Sequence, residues 1–375
     1  MTDSSVAAPA NVDALDLDAM LDDLRELVEI ESPSRDIEAL EVSAAALAAM
    51  IERHLGGTAE LVESPAGPHV HWRGGDDPCV LLLGHHDTVF PLGTLDRRPF
   101  RVDDGIATGP GVFDMLGGIV QALHGLPLLD ADTLAGVELL FSSDEEVGSL
   151  TSRSLIEERA RACGAVLVLE PSAPGGVLKT GRKGCGTFQV QVGGRAAHAG
   201  LEPENGVNAL VEAAHQVLAI ANISRPEQGT TVTPTVAAAG TTDNVVPAEA
   251  TVVVDVRVES ADEKERVEAA MASLAPFDAQ ATIAVTGAIN RPPMPESASA
   301  TLYPLVREID PTVDGVAVGG GSDGNFTAAI GVPTLDGLGA VGGGAHADTE
   351  HVVVDTMPAR GALVANLVAA ITSRV

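Results

Sequence analysis

The stretch Leu81-Leu82-Leu83-Gly84-His85-His86-Asp87-Thr88-Val89-Phe90 constrains this chain more than any other. A short apolar run ending in groups that can bind or react reads as a buried strand. Its C-terminal end then opens where open α/β sheets assemble their sites. Side chains alternate along a strand, so His85 and Asp87 face one way and His86 the other. A carboxylate beside an imidazole commonly orients the ring for a metal. By itself the pair would suit any strand-end turn, so the reading depends on what other strand ends deliver.

Four further stretches match it. Val166-Leu167-Val168-Leu169-Glu170-Pro171 again places a carboxylate at the end of an apolar run. Phe141-Ser142-Ser143-Asp144-Glu145-Glu146-Val147-Gly148-Ser149 places three acids there, which repel one another unless a cation neutralises them. In Gly109-Pro110-Gly111-Val112-Phe113-Asp114-Met115-Leu116-Gly117-Gly118, glycines on both sides of Asp114 let the backbone turn sharply and approach a ligand. The phosphate-loop ending of Lys and Ser/Thr is missing from it. Gly342-Gly343-Gly344-Ala345-His346-Ala347-Asp348-Thr349-Glu350 presents a histidine on a glycine loop. Each stretch alone is compatible with an ordinary turn.

Taken as ligands, His85, Asp114, Glu146, Glu170 and His346 satisfy a charge balance. Three carboxylates and one hydroxide match two divalent cations that share Asp114. Mixed imidazole and carboxylate ligation suits zinc, with cobalt or manganese as alternatives. Glu145, next to a ligand but pointing elsewhere, is placed to act as general base on a bridging water. The remaining histidines (His54, His69, His71, His86, His124, His215 and His351) are read as ordinary structural residues.

Composition excludes several alternatives. With 53 acidic against 22 basic residues, the formal charge is -31. Such a chain lacks the clustered cations that nucleic acids and anionic membranes require. Cys79, Cys163 and Cys185 are widely spaced and imply neither a disulfide framework nor a thiolate zinc site. Residues 1 to 11 should fray, and Met1 to Asp18 lacks a basic segment followed by an apolar one. No run approaches the roughly 18 apolar residues of a membrane span. The expected location is the cytoplasm.

A chain of 375 residues is expected to form two domains. Helical periodicity covers about Asp13 to Glu31 and Ile37 to His54, and the helices Gly118–Leu129 and Ser152–Cys163 follow. Core strands are expected at Cys79–Leu83, Val137–Ser142 and Ala165–Leu169, giving an α/β/α sandwich with a mixed sheet. From residue 183 to 292 the order becomes β-α-β-β-α-β, the ferredoxin-like signature. A strand near Val332–Leu338 and a helix from about Met357 resume the first pattern. The expectation is therefore a catalytic domain of residues 1–182 and 293–375, interrupted by an inserted α+β lid or dimerisation domain, 183–292.

The set HHDTV, GPGVFDMLGG, SSDEEVGS, LEP and AHADTEH, in this order, resembles a di-zinc exopeptidase family. Its members include glutamate carboxypeptidase, aminoacylase, acetylornithine deacetylase and succinyl-diaminopimelate desuccinylase; the glutamate carboxypeptidase branch is the most similar. The resemblance covers nearly the whole chain. It implies that Asp114 bridges two metals, with His85 and Glu170 on one and Glu146 and His346 on the other. Asp87 would orient His85, Glu145 would shuttle the proton, and a cis peptide would follow Asp114. In the inserted domain, His198 in GRAAHAG resembles the family's lid histidine, which stabilises the oxyanion across a homodimer. Asn244 in TTDNVVP resembles its companion, and Arg291 in NRPP resembles an arginine that grips a substrate carboxylate. Gly320 and Ser322 could supply backbone donors beside that carboxylate. Leu116 stands where the family often has Lys. The implied activity is metal-dependent hydrolysis of a peptide or amide bond beside a free carboxylate. N-acyl-amino-acid deacylation or desuccinylation is the alternative on the same site, and a catalytically silent metal-binding dimerisation module is the remaining one.

Overall fold

A computed structural model describes residues 10–374. Of residues 1–11, expected to fray, 1–9 lie outside the described residues, whereas Ala10 N–H donates to Asn366 Oδ1 (2.7 Å) and Asn11 caps the turn Val12–Ala14. The chain divides into two compact units. One comprises the chain up to Gly181, Glu296–Val318 and the chain from Ser322; the other comprises Arg182–Pro295 and Gly319–Gly321.

The first unit is built on a six-stranded mixed sheet. In spatial order its strands are Glu60–Val62, His69–Arg73, Val137–Ser142, Val80–His85, Val166–Val168 and Thr334–Leu335. The first three pair antiparallel and the last four pair parallel. Every residue of Val80–His85 and Val137–Ser142 is buried, as parallel strands covered on both faces require. Alternation sorts their side chains into two cores. Leu82, Leu139 and Leu167 pack into the larger one with the helices Leu17–Val28, Ile37–Leu55, Gly117–Gly125 and Met357–Thr372. Leu81, Leu83, Leu140 and Val168 face the helix Arg153–Cys163. The result is helices on both faces of one sheet, with cores made mostly of Leu, Val, Ala, Ile and Met and a few aromatics such as Trp72, Phe113 and Phe141.

The second unit has the strands Gly184–Gly193, Thr231–Ala239, Glu249–Val258 and Thr282–Arg291 and the helices Ala209–Ala221 and Ala261–Ala272. Its sheet order is Thr231–Ala239, Glu249–Val258, Gly184–Gly193, Thr282–Arg291, antiparallel throughout. With two helices crossing one face, this is the ferredoxin-like arrangement. It has its own core, centred on Phe188, Val190, Val252, Val254, Val267 and Ile289.

Three elements differ from the sequence reading. The first helix is split: Val12–Ala14 is a separate turn, and Asp16 starts Leu17–Val28 by accepting N–H bonds from Asp18 and Ala19. The Val332–Leu338 strand shrinks to Thr334–Leu335, because Asp336 and Gly339 bond to Lys179 and Glu170 outside the ladder. The last strand of the second unit runs on to Arg291 through an irregularity after Ala288.

Candidate metal centre

Parallel pairing aligns three strand ends. His85 lies opposite Ser142 and Leu83 opposite Val168, so the residues that follow emerge together. Val80–His85 terminates in His85 itself. Val137–Ser142 leads into the turn Glu145–Val147, and Val166–Val168 leads through Leu169 to Glu170. Asp114 arrives from the helical turn Val112–Leu116, whose backbone is non-helical at Asp114 and Met115. The Asp114–Met115 peptide is cis, as the resemblance implied. Gly111, just before this turn, holds φ 74°, and a Cβ there would sit 2.7 Å from the Thr88 methyl, so only glycine fits. His346 stands at φ 62°, a left-handed conformation unusual outside glycine.

These five side chains come together. His85 Nε2 lies 3.4 Å from Asp114 Oδ1 and 3.5 Å from Glu170 Oε1. His346 Nε2 lies 3.3 Å from Asp114 Oδ2 and 3.1 Å from Glu146 Oε1. They form two triads, His85–Asp114–Glu170 and Asp114–Glu146–His346, whose donor atoms lie within 4.8 Å of one another, with Asp114 common to both. The set fits a pair of divalent ions on a separate ground. His85 Nε2 and Asp114 Oδ1 are buried and make no hydrogen bond among the described residues. Burying such atoms unsatisfied is costly, and a cation between them removes the cost.

The electrostatics agree. Hydrogen bonds donated to the Asp114 and Glu146 carboxylates push the His346 imidazole up to about 10. Burial works against protonation of His85, but Asp114, Asp87 and Glu170 outweigh it and raise its pKa. Burial raises the Glu146 carboxyl, whereas the two imidazoles carry Asp114 far below the carboxylate range despite its burial. A field of this sign favours cations at the cluster.

Asp87 is fully buried and does more than was read from the strand. Its carboxylate accepts N–H bonds from Glu145 (3.1 Å) and Glu146 (3.3 Å) and an O–H bond from Ser34 (2.7 Å). His85 Nδ1 meets the Asp87 carbonyl at 2.9 Å and its carboxylate at 3.5 Å. Asp87 thus ties the acidic turn to the histidine strand. His86 faces the other way, buried against the Ser43 hydroxyl (3.0 Å) and the Pro68 carbonyl (3.1 Å). Leu116 turns into the main core.

His198, Asn244, Arg291 and Gly320 belong to the second unit. There, exposed His198 accepts N–H bonds from Gly200 and Leu201, and Ala199 N–H donates to the Asn244 carbonyl. Arg291 closes its strand opposite Cys185, and the Gly320 carbonyl accepts from Arg182. Ser322 is a correction. It is fully buried, its N–H goes to Asn325 Oδ1 (2.9 Å) and its hydroxyl to Asp336 Oδ2 (2.6 Å), so both donors are spent inside the fold.

One residue beside the cluster had no signal of its own. Glu350, fully buried, accepts N–H bonds from Gly111, Phe113 and Asp114. In sequence it is merely an acid after a glycine loop, and its partners lie 236 to 239 positions away.

The chain is similar to known proteins over most of its length. Residues 81–370 match the model of peptidase family M20/M25/M40. Carboxypeptidase G2 from a Pseudomonas species is 35% identical over 93% of this chain and 88% of its own. A succinyl-diaminopimelate desuccinylase from Rhodospirillum rubrum is 34% identical over 34% of this chain and 37% of its own. The crystal structure of an M20-family metallo-carboxypeptidase from Sulfolobus solfataricus superposes with a TM-score of 0.74 at 16% identity, over 95% of this chain and 99% of that one.

Proposed function

Because the chain belongs to peptidase family M20/M25/M40, we propose that it is a metal-dependent exopeptidase of the carboxypeptidase type. It hydrolyses a peptide or N-acyl amide bond next to a free carboxylate. The observation that carries this reading is the convergence of two imidazoles and three carboxylates, with His85 Nε2 and Asp114 Oδ1 buried and without a hydrogen bond among the described residues. His85, Asp114 and Glu170 would hold one ion, and Asp114, Glu146 and His346 the other. The donor set favours zinc, with cobalt and manganese also accommodated. Bound there, two such ions supply Lewis acidity toward the scissile carbonyl and make water nucleophilic near neutral pH.

The chain's own residues do the rest. Glu145, itself buried, sits on the turn that Asp87 pins, and its charge acts on His85. From there its carboxylate takes a proton from water and passes it to the leaving amine. Asp87 and Ser34 hold the acidic turn in register with the histidine strand. In the second unit, His198 with neighbouring Asn244 is assigned to the carbonyl oxygen of the substrate. Arg291, whose planar fork matches a carboxylate, is assigned to the substrate's free acid, with the Gly320 backbone beside it. A homodimer through this unit is supported by exposed Leu210, Val211 and Leu218 on one helix and by the edge strand Thr231–Ala239 beside it, where Val236 is exposed. Similarity to a desuccinylase favours a second reading, removal of an acyl group from an amino acid at the same centre.

The test is a panel of dipeptides and N-acyl amino acids, each as free acid and as C-terminal amide, assayed with zinc, cobalt and manganese. Free acids should be hydrolysed, and chelation should stop the reaction. Glu145→Ala should keep its metal and lose about 10²- to 10⁴-fold in kcat. Arg291→Ala should raise KM for the acids far more than for the amides. Hydrolysis that survives both chelation and Glu145→Ala would overturn the reading.

A further inference from the structure

Glu350 and His346 leave the same short loop, which is folded on itself by N–H bonds from Ala347 to the Gly344 carbonyl and from Glu350 to the Ala347 carbonyl. His346 points its Nε2 at Asp114 from one side. Glu350 takes hold of the backbone that carries Asp114: Oε2 accepts from Gly111 N–H at 2.9 Å, and Oε1 from Phe113 at 3.0 Å and Asp114 at 2.9 Å. The first N–H groups of any helical turn have no acceptor within it. In Val112–Leu116 they lie in a buried region, where an unpaired N–H is destabilising.

We propose that Glu350 is a positioning residue of the metal centre, fixing the Asp114 turn in register with the His346 loop. This inference rests on the dinuclear reading given above. Asp114 is the carboxylate both ions would share, so a small rotation of its turn displaces ligands of both. The Asp114 backbone is non-helical, and nothing in regular secondary structure fixes where its side chain points. Three hydrogen bonds to one buried carboxylate supply that restraint, and they make it at the expense of no ligand atom. A carboxylate is also the only side chain of this length with acceptors on both arms. Glutamine would turn an N–H₂ toward backbone N–H groups. Glu350 acts through Asp114 and need not touch substrate.

The decisive variant is Glu350→Gln in the full chain, stripped of metal and titrated with Co²⁺. Cobalt affinity should fall by about 10- to 100-fold, as when other partners that orient a ligand are removed. The visible cobalt spectrum, which reports ligand geometry, should change, while the near-ultraviolet circular dichroism of the metal-free protein stays that of the wild type. A wild-type affinity and spectrum in the variant would overturn the inference. Should Glu350→Gln fail to fold, Glu350→Asp keeps the charge but is one methylene too short to reach all three amides. Its cobalt affinity should be lowered, and an affinity equal to wild type would equally overturn the inference. Wild-type protein that takes up no cobalt would remove the dinuclear reading and this inference together, whereas normal wild-type uptake with an unaltered variant removes this inference alone.

Discussion

Two clusters in the first unit are built from the same donors, yet they are opposites. Around Asp114 stand His85, Glu170, Glu146 and His346; around Asp23 stand His54 and His124. Both sets satisfy a crude rule for metal sites. Their spacings separate them. Two ligand atoms each about 2.1 Å from a tetrahedral ion are about 3.4 Å apart, and three of the four imidazole–carboxylate distances around Asp114 lie at 3.3 to 3.5 Å. At Asp23 the distances are 2.6 Å to His54 and 2.8 Å to His124, the span of a hydrogen bond. Charge separates them again. Asp23 already carries Arg53 on its other oxygen at 2.8 Å, while the ion-pair partners of Asp114 among the described residues are two imidazoles. Asp23 is a clamp between the helices Leu17–Val28, Ile37–Leu55 and Gly117–Gly125. The lesson is that donor identity proposes a metal site, and separation together with charge balance decides it.

The strongest way to break this contrast is metal analysis of paired variants. Asp114→Ala should reduce bound metal from two ions per chain to one or none and bring hydrolysis to background, whereas Asp23→Ala should keep both ions. Loss of an ion from Asp23→Ala would erase the distinction. Stability should move the other way. Asp23→Ala takes the carboxylate from two imidazoles, while Arg53 keeps Glu26 at 3.0 Å, and should cost about 2 kcal/mol in urea unfolding of the metal-free protein. No loss there would mean the clamp carries no load.

A smaller effect is expected from pH. Burial holds the His124 imidazole below its ordinary 6.5, with Asp23 opposing only in part. The unfolded chain then binds the proton more readily, so this contribution is full above pH 6.5 and declines as the pH falls below it. Burial would raise the Asp23 carboxyl, but its bonds to His54 and His124 and the charge of Arg53 bring it below 3.8. Its contribution is present above pH 3.8 and is lost as the pH falls through the lowered folded value. Relative to His124→Leu, the wild-type urea midpoint should therefore drop between pH 7 and 5. The same pH dependence in both proteins would exclude His124 as the source.

The same contrast shows what could be read in advance. His85, Asp114, Glu146, Glu170 and His346 were legible because each ends an apolar run or sits among glycines, signals that are local in sequence. Likewise, continuous apolar runs marked the central strands, and the alternation of strand and helix patterns marked the ferredoxin-like order. The Asp23 clamp had no such mark, since it forms where three amphipathic helices meet at one level. Glu350 was hidden for a related reason: its partners are backbone amides, which carry no residue identity. Ser322 was misjudged because a glycine-rich approach looks exposed in sequence, yet the chain turns inward there and spends its donors on Asn325 and Asp336.

The sequence by itself determined the layers, the parallel strand ends and the kinds of atoms they deliver, because hydrophobic periodicity and strand alternation are set residue by residue. Only the tertiary structure decided which histidines lie at ligand spacing and which at hydrogen-bond spacing. It also decided which buried carboxylate receives the amides behind Asp114. Those outcomes depend on separations of less than an ångström between segments far apart along the chain, and such separations are fixed by packing.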